Sequence, residues 1–433
     1  AAQLGPGRYW ALPTLAWLDA SDRALVGLCA IGAAASLGLI FDVAAGACAL
    51  ACWALYLSLS VVGADFMSFQ WDALLLEAGL IALFLAPWAL LKKSRTQPSR
   101  GALWLLRLLL FKLMLQSGMV KLLSGDPSWR GLTALTYHFW TQPLPTPFAW
   151  WTNLFPLRFQ KLSCLTMLGV EFGAPWLLLG PRRVRALGAA AISVLMLLIA
   201  LTGNYGFFNL LTAVLCVAAL DDDFLFLRGL APKPASRAPS PWRGRALAAY
   251  AAVWLTVSGV VWSLTTGLRP PFAPVWGSLL AAVEPLRSIN NYGLFAVMTT
   301  TRDEIMIEVS ADGHEWKEWP FKWKPGDPRR APPVVAPHMP RLDWQMWFAA
   351  LGSPSPWFGN LLYRLLQGSP DVERLLGPSP LDGSRPTYAR ASVWTTRFST
   401  PAERRADGSW WHRERKGLYF PVVALKAGAG SSP

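Results

Sequence analysis

Histidine is scarce in this 433-residue chain: four residues, His138, His314, His338 and His412, spread singly along it. A metal or catalytic cluster built from them would need remote segments to converge. No H-E-x-x-H, G-x-S-x-G, P-loop, G-x-G-x-x-G or C-x-x-C pattern offers a local alternative. The sequence therefore assigns no catalytic residue, no metal ligand and no cofactor. Cysteine is absent after Cys216, which excludes a disulfide framework in the second half; Cys29, Cys48, Cys52, Cys164 and Cys216 sit in apolar runs, where small buried thiols are expected. No asparagine is followed two places on by serine or threonine, so N-glycosylation is not expected. Charged residues make up only 15% of the chain. Net charge is +14, but the basic residues form short loop clusters with no basic helix or zinc-finger spacing, which argues against nucleic acid as a partner. The chain opens on Ala1 without a charged, apolar and cleavage-site pattern, so a start further upstream is expected.

Apolar residues, by contrast, make up 53% of the chain, with 24 tryptophans and a mean hydropathy of +0.32. Such values fit a membrane protein carrying a soluble appendage. Runs long enough to span lie near 24–41, 43–62, 74–91, 102–123, 162–179, 186–202, 207–220 and 246–267. The first two are parted only by Asp42 and the seventh is short, so six to eight spans are expected. Lys92, Lys93, Arg95 and Arg100 fill one loop, Arg182, Arg183 and Arg185 a second, and Arg228, Lys233, Arg237, Arg243 and Arg245 a third; the loops around 63–73 and 203–206 hold no Lys or Arg. By the positive-inside rule the basic loops face the cytoplasm, and everything after Leu268 emerges on the other side. The chain then reads as a polytopic α-helical membrane bundle (residues 1–267, with an interfacial segment at 124–161) followed by an extracytoplasmic α+β domain (268–433).

Polar groups near or inside the spans are the place to look for chemistry. Gln70 and Asp72 form a polar doorway ahead of a span that carries Glu77. Lys112 and Lys121 lie in the fourth run and Glu171 in the fifth; depth along each run suggests the pairs Glu77–Lys121 and Glu171–Lys112. His138 precedes the proline-locked Thr141–Pro147, and Asn204 and Asn209 flank a glycine-bent break, candidates for the same pocket as Gln70. These groups either lock helices together or line a cavity for a substrate, lipid head or proton path.

After Leu268 the pattern changes. Residues 273–289 read as a surface-lying helix, Glu304–Ser310 alternates at period two as a half-buried strand, Ala311–His314 is a hairpin turn, and Glu315–Trp323 returns as a second strand. Helices are predicted at 342–351, 356–366 and 370–376, and strands at 387–398 and 410–423, with Trp410 and Trp411 as interfacial aromatics. About 160 residues suffice for a separate core. Arg341 and Asp343 open the first of these helices, and Trp344, Trp347, Phe348 and Leu351 form its 3–4 spaced apolar stripe. That stripe either docks on a sheet or membrane, or presents an aromatic, arginine-containing surface to a client polypeptide.

The words FMSFQWDALLLEAG, SGMVKLLSGDPSWRGLTALTYHFWTQPLPTP, LTGNYGFFNLLTAVL, NNYGLF, IEVSADGHEW, FKWKPGD, VAPHMPRLDWQMWFAAL and WWHRERKGLYFP resemble the lipase maturation factor family over most of the chain from about residue 60. The resemblance implies a membrane-embedded, non-enzymatic maturation factor of the endoplasmic reticulum, chaperone-like, whose C-terminal part faces the lumen and engages secreted clients such as lipases. An alanine-, arginine- and proline-rich composition points to a bacterial member, with the inner membrane and periplasm replacing the reticulum and its lumen. A fainter likeness, around Lys121 and Trp129-Arg130-Gly131, to the membrane domain of vitamin K-dependent carboxylases carries the competing reading. That is a membrane enzyme using Glu77, Lys112, Lys121, His138 and Glu171.

Overall fold

The computed structural model describes residues 2–89, 98–221, 241–267 and 273–425. The basic positions Lys92, Lys93, Arg95, Arg228, Lys233 and Arg237, the junction 268–272 and the end of the tail lie outside them. Among the described residues each apolar run read from the sequence contains a helix, although the one in 74–91 ends at Ala82. Among the described residues five helices are long and apolar enough to cross a bilayer: Asp22–Ile40, Ala45–Val62, Arg100–Leu123, Arg182–Thr202 and Pro241–Thr265. The other three runs form Gln70–Ala82, Leu157–Leu177 and Phe208–Val217.

The chain divides into two compact units. The helical unit comprises residues 1–130, 165–197 and 208–297. Serine caps start two of its long helices: Ser21 Oγ accepts the Ala24 N–H and Ser99 Oγ that of Ala102. The carboxyl end of Phe208–Val217 is met by cations, as its dipole requires. Arg107 Nε donates to the Ala218 carbonyl at 2.8 Å, and Arg185 Nε donates to that of Ala219 at 2.7 Å while its Nη2 holds Asp221 at 3.0 Å.

The second unit gathers residues 131–164, 198–207 and 298–433. Its centre is an antiparallel sheet of β1 (Asp303–Ser310), β2 (Lys317–Trp319), β3 (Tyr388–Phe398) and β4 (Trp411–Ala424), in the order β2-β1-β3-β4. β1 is an inner strand with Ile305, Met306, Ile307 and Val309 all buried, and the helix Arg341–Ala350 packs on it. The β3–β4 ladder slips at Ala389, Ala391 and Val393, bulges that bend the outer strand. A second core joins the sheet to residues 131–164: Ala149 and Trp150 pack against Phe398 and Trp411, and Trp150 Nε1 donates to the Ser399 carbonyl at 2.9 Å. Trp411, read from the sequence as an interfacial aromatic, is thus a core residue. An aromatic next to basic residues looks like a membrane belt, but here the strand's inward face claims the ring.

The division at 267/268 read from the sequence differs from these units in two ways. The segments 131–164 and 198–207 belong with the sheet, and residues 273–297 belong with the helices. Strand β2 is also shorter than predicted, ending at Trp319 before the proline that follows it.

The β1–β2 turn is tied by Asp312, whose Oδ1 accepts the N–H groups of His314 and Glu315 at 2.8 and 2.9 Å and the Ser310 hydroxyl at 2.9 Å. Those donors hold the carboxyl down, to about 2 from an ordinary 3.8. A depressed acid stabilises the fold fully above its unfolded value and loses that contribution as pH falls through the folded one. Asp312→Ala is therefore expected to lower the thermal midpoint at neutral pH. Its deficit against the parent should shrink as pH drops from 3.8 towards 2.

Candidate functional site

Gln70–Ala82 begins where Asp72 Oδ2 accepts the Phe69 N–H at 3.3 Å, and the other Asp72 oxygen takes the Tyr56 hydroxyl. Two turns on, Glu77 is completely buried. Its Oε1 accepts the Lys112 ammonium and the Trp254 Nε1–H, the latter at 2.6 Å. Its Oε2 accepts the Tyr292 hydroxyl at 2.7 Å, the Asn290 backbone N–H at 3.0 Å and Asn290 Nδ2 at 3.3 Å. Lys112 also contacts Ser258 Oγ at 3.3 Å and lies 4.6 Å from the centre of the Trp254 ring. A carboxylate offers about four lone-pair sites, and five donors occupy this one. A buried ion pair is tolerated when the remaining lone pairs are met in this way. Glu77 has no acceptor left for a substrate.

The second pair is also buried. Lys121 Nζ donates to Glu171 Oε1 and Oε2 at 2.7 and 3.0 Å and to the Ser117 carbonyl at 2.9 Å, with the Trp129 ring centre 5.5 Å away. Gly118 permits this approach, since a Cβ there would stand 3.2 Å from Glu171 Cβ and 3.0 Å from the Phe172 ring. The pairing Glu77–Lys121 and Glu171–Lys112 expected from depth is therefore wrong, and the partners are exchanged. Position along one apolar run does not fix which neighbouring helix a charged group meets, and that choice sets the pairing.

Gln70 and Gln116 serve the same insertion. Gln70 Oε1 accepts the Gly293 N–H and Gln116 Oε1 the Tyr292 N–H, both at 3.1 Å. At Gly293 any side chain would collide with Val120, 2.5 Å from an ideal Cβ. Residues 290–293 are thus threaded among the helices, and Trp254, Ser258, Asn290 and Tyr292 are site members that sequence reading did not assign. The word NNYG was the available signal. Asn209 is buried on Phe208–Val217.

The remaining polar candidates, His138 and Asn204, lie in the sheet unit. Asn204 is a four-way staple: Oδ1 accepts the N–H groups of Val335 and Ala336 at 2.7 and 3.0 Å, and Nδ2 donates to the Leu144 and Pro333 carbonyls at 3.1 and 2.8 Å. Tyr205 donates to Gln142 Oε1 at 2.8 Å and stands 3.2 Å from His138 Nε2; burial pushes its phenol above the usual range. Trp344 Nε1 donates to the Asn204 carbonyl and Trp347 Nε1 to that of Thr141, at 3.1 and 2.7 Å. Asp343 accepts the N–H groups of Trp323 and Lys324 at 2.9 and 2.8 Å, while burial raises its carboxyl. Of the five client-surface candidates, Asp343, Trp344 and Trp347 are therefore buried and engaged. Arg341 is half-buried, and Phe348 is exposed at 40%.

Beneath this lies a charged knot the sequence did not reveal. Arg302, 1% exposed, donates to the carbonyls of Trp140, Gln142 and Pro143 and pairs with Glu304 at 2.6 Å; the other Glu304 oxygen holds Lys324 at 2.7 Å. Among the described residues no cluster of three or more His, Cys, Asp or Glu stands where it could hold a metal ion. In both units the ionisable groups act on each other and on the backbone, as fasteners.

The fold is thus that of a multi-pass membrane protein with an appended α+β domain. Residues 5–227 match the Lipase maturation factor transmembrane domain and residues 288–421 the Lipase maturation factor C-terminal domain. The chain is 36% identical to Lipase maturation factor 2 of Homo sapiens, over 97% of its own length and 76% of that protein. It is 33% identical to Lipase maturation factor 1 of Mus musculus, over 96% and 77%. The chain belongs to the lipase maturation factor family. No solved structure matches it.

Proposed function

We propose that this chain is a membrane-held maturation factor for secreted lipases, acting from an extracytoplasmic α+β domain. The observation that carries the reading is the match to both family domains, joined to relatives named for lipase maturation along nearly the whole chain. Saturation of Glu77 by five donors speaks against turnover of a small substrate at that carboxylate. The clustering of arginines and lysines in the sequence at 92–100, 182–185 and 228–245 supports these as the cytoplasmic loops by the positive-inside rule. On that reading residues 268–433 work in the periplasm of a bacterial host, or in the lumen of the endoplasmic reticulum of a eukaryotic one. Protease added to the outside of intact spheroplasts is expected to cut the C-terminal domain, and deletion of the gene to lower secreted lipase activity without lowering lipase synthesis. A domain cut only after lysis, or lipase activity indifferent to the deletion, would overturn the proposal.

A further inference from the structure

The stretch FKWKPGD takes no part in the charged knot except through Lys324, yet it shapes an open groove. Phe321 bridges to Leu376, the Gly377 N–H donates to the Pro320 carbonyl at 2.8 Å, and Trp319 Nε1 donates to the Gly377 carbonyl at 3.0 Å. These bonds staple residues 376–378 along 319–321. Beside the turn that follows, a space of about 460 Å³ remains, walled by Pro320, Phe321, Trp323 and Leu376. Such a volume with mainly apolar walls is typical of ligand-binding clefts.

Its rim is cationic. Arg330 Nη1 donates to the Phe321 carbonyl at 2.9 Å and Nη2 to that of Lys322, which fixes the guanidinium at the edge. Two of its five N–H donors are used, and among the described residues no carboxylate pairs with it. Lys322 is exposed, and among the described residues its ammonium donates to the Arg374 carbonyl and pairs with no carboxylate. The one anion of the lining, Asp327, caps the Arg329 N–H at 2.9 Å. A rigid aromatic and proline floor beside a held arginine is the composition of peptide-binding hot spots, and a guanidinium with spare parallel donors fits a carboxylate.

We propose that this groove binds an extended polypeptide segment in which an apolar side chain stands next to an acidic one. It is the place where an incompletely folded client is gripped. The inference rests on the maturation role proposed above.

The test uses the full chain in nanodiscs and a fluorescein-labelled, end-blocked decapeptide of alternating leucine and aspartate, read by anisotropy. The expected result is saturable binding that the same peptide with lysine for aspartate does not reproduce. Lys322→Glu and Arg330→Gln should each weaken it at least about tenfold, equivalent to about 1.4 kcal/mol. Lys322→Glu alters only a surface side chain, so it stays decisive if Arg330→Gln disturbs the rim. Binding unchanged in Lys322→Glu, equal affinity for the lysine peptide, or tighter binding of decanoate than of the acidic peptide would each overturn the groove. If lipase secretion requires the protein but the peptide does not bind, the groove falls and the maturation role stands. If the peptide binds and no lipase needs the protein, the reverse holds.

Discussion

Glu77→Ala is expected to cost the helical unit about 3–5 kcal/mol, the usual consequence of stranding one member of a buried ion pair. The substitution leaves the Lys112 ammonium with Ser258 Oγ as its remaining side-chain hydrogen-bond partner, and it removes the acceptor of Trp254, Asn290 and Tyr292 together. A lower midpoint of unfolding in detergent would register the loss. The double change Glu77→Gln with Lys112→Met should recover most of it, because removing both charges also removes the need to compensate them. Full stability of the single variant would mean that the five-donor carboxylate is not the fastener described. A double variant as unstable as the single would mean that shape, and not charge, sets the loss.

The largest effect in the sheet unit is expected at Arg302. Arg302→Ala leaves three carbonyls, of Trp140, Gln142 and Pro143, without their donor and halves the pairing of Glu304. On the order of 3–5 kcal/mol should be lost, with residues 131–164 becoming open to protease while the helical unit keeps its midpoint. Arg302→Lys should not restore protection. A single ammonium cannot spread over three carbonyls and a carboxylate as a planar guanidinium does. Rescue by lysine would show that charge alone matters at this position.

Much of this molecule is written locally. Each of the eight apolar runs contains a helix among the described residues, the third only as far as Ala82, because hydropathy reports a solvent preference that needs no partner to be decided. Period-two alternation from Glu304 to Ser310 gave β1 for a related reason, and the strands at 388–398 and 411–424 fell within a residue of their predicted limits. Of the apolar stripe Trp344, Trp347, Phe348 and Leu351, the two tryptophans turn inward, while Phe348 and Leu351 are exposed at 40% and 53%. What stayed hidden depends on which segments meet: the exchange of partners between the two ion pairs, the threading of residues 290–293 among helices, and the strand order of the sheet. One signal was local and still passed over. Thr400 with Glu403, and Pro401 in the first turn, announce the helix Pro401–Asp407 by a capping box. Among the candidate site residues, burial of the polar groups was legible in the sequence; their mutual saturation was not, because it depends on Trp254, Asn290 and Tyr292, which lie far along the chain.

That distance has a consequence for biosynthesis. The donors on Glu77 come from positions 112, 254, 290 and 292, so a ribosome must deliver more than two hundred further residues before the last of them can reach it. Until then the nascent chain carries an acidic side chain in the lipid-embedded unit that is incompletely matched, and an insertase or a neighbouring helix must shelter it. Its own assembly thus contains an interval in which it depends on outside help.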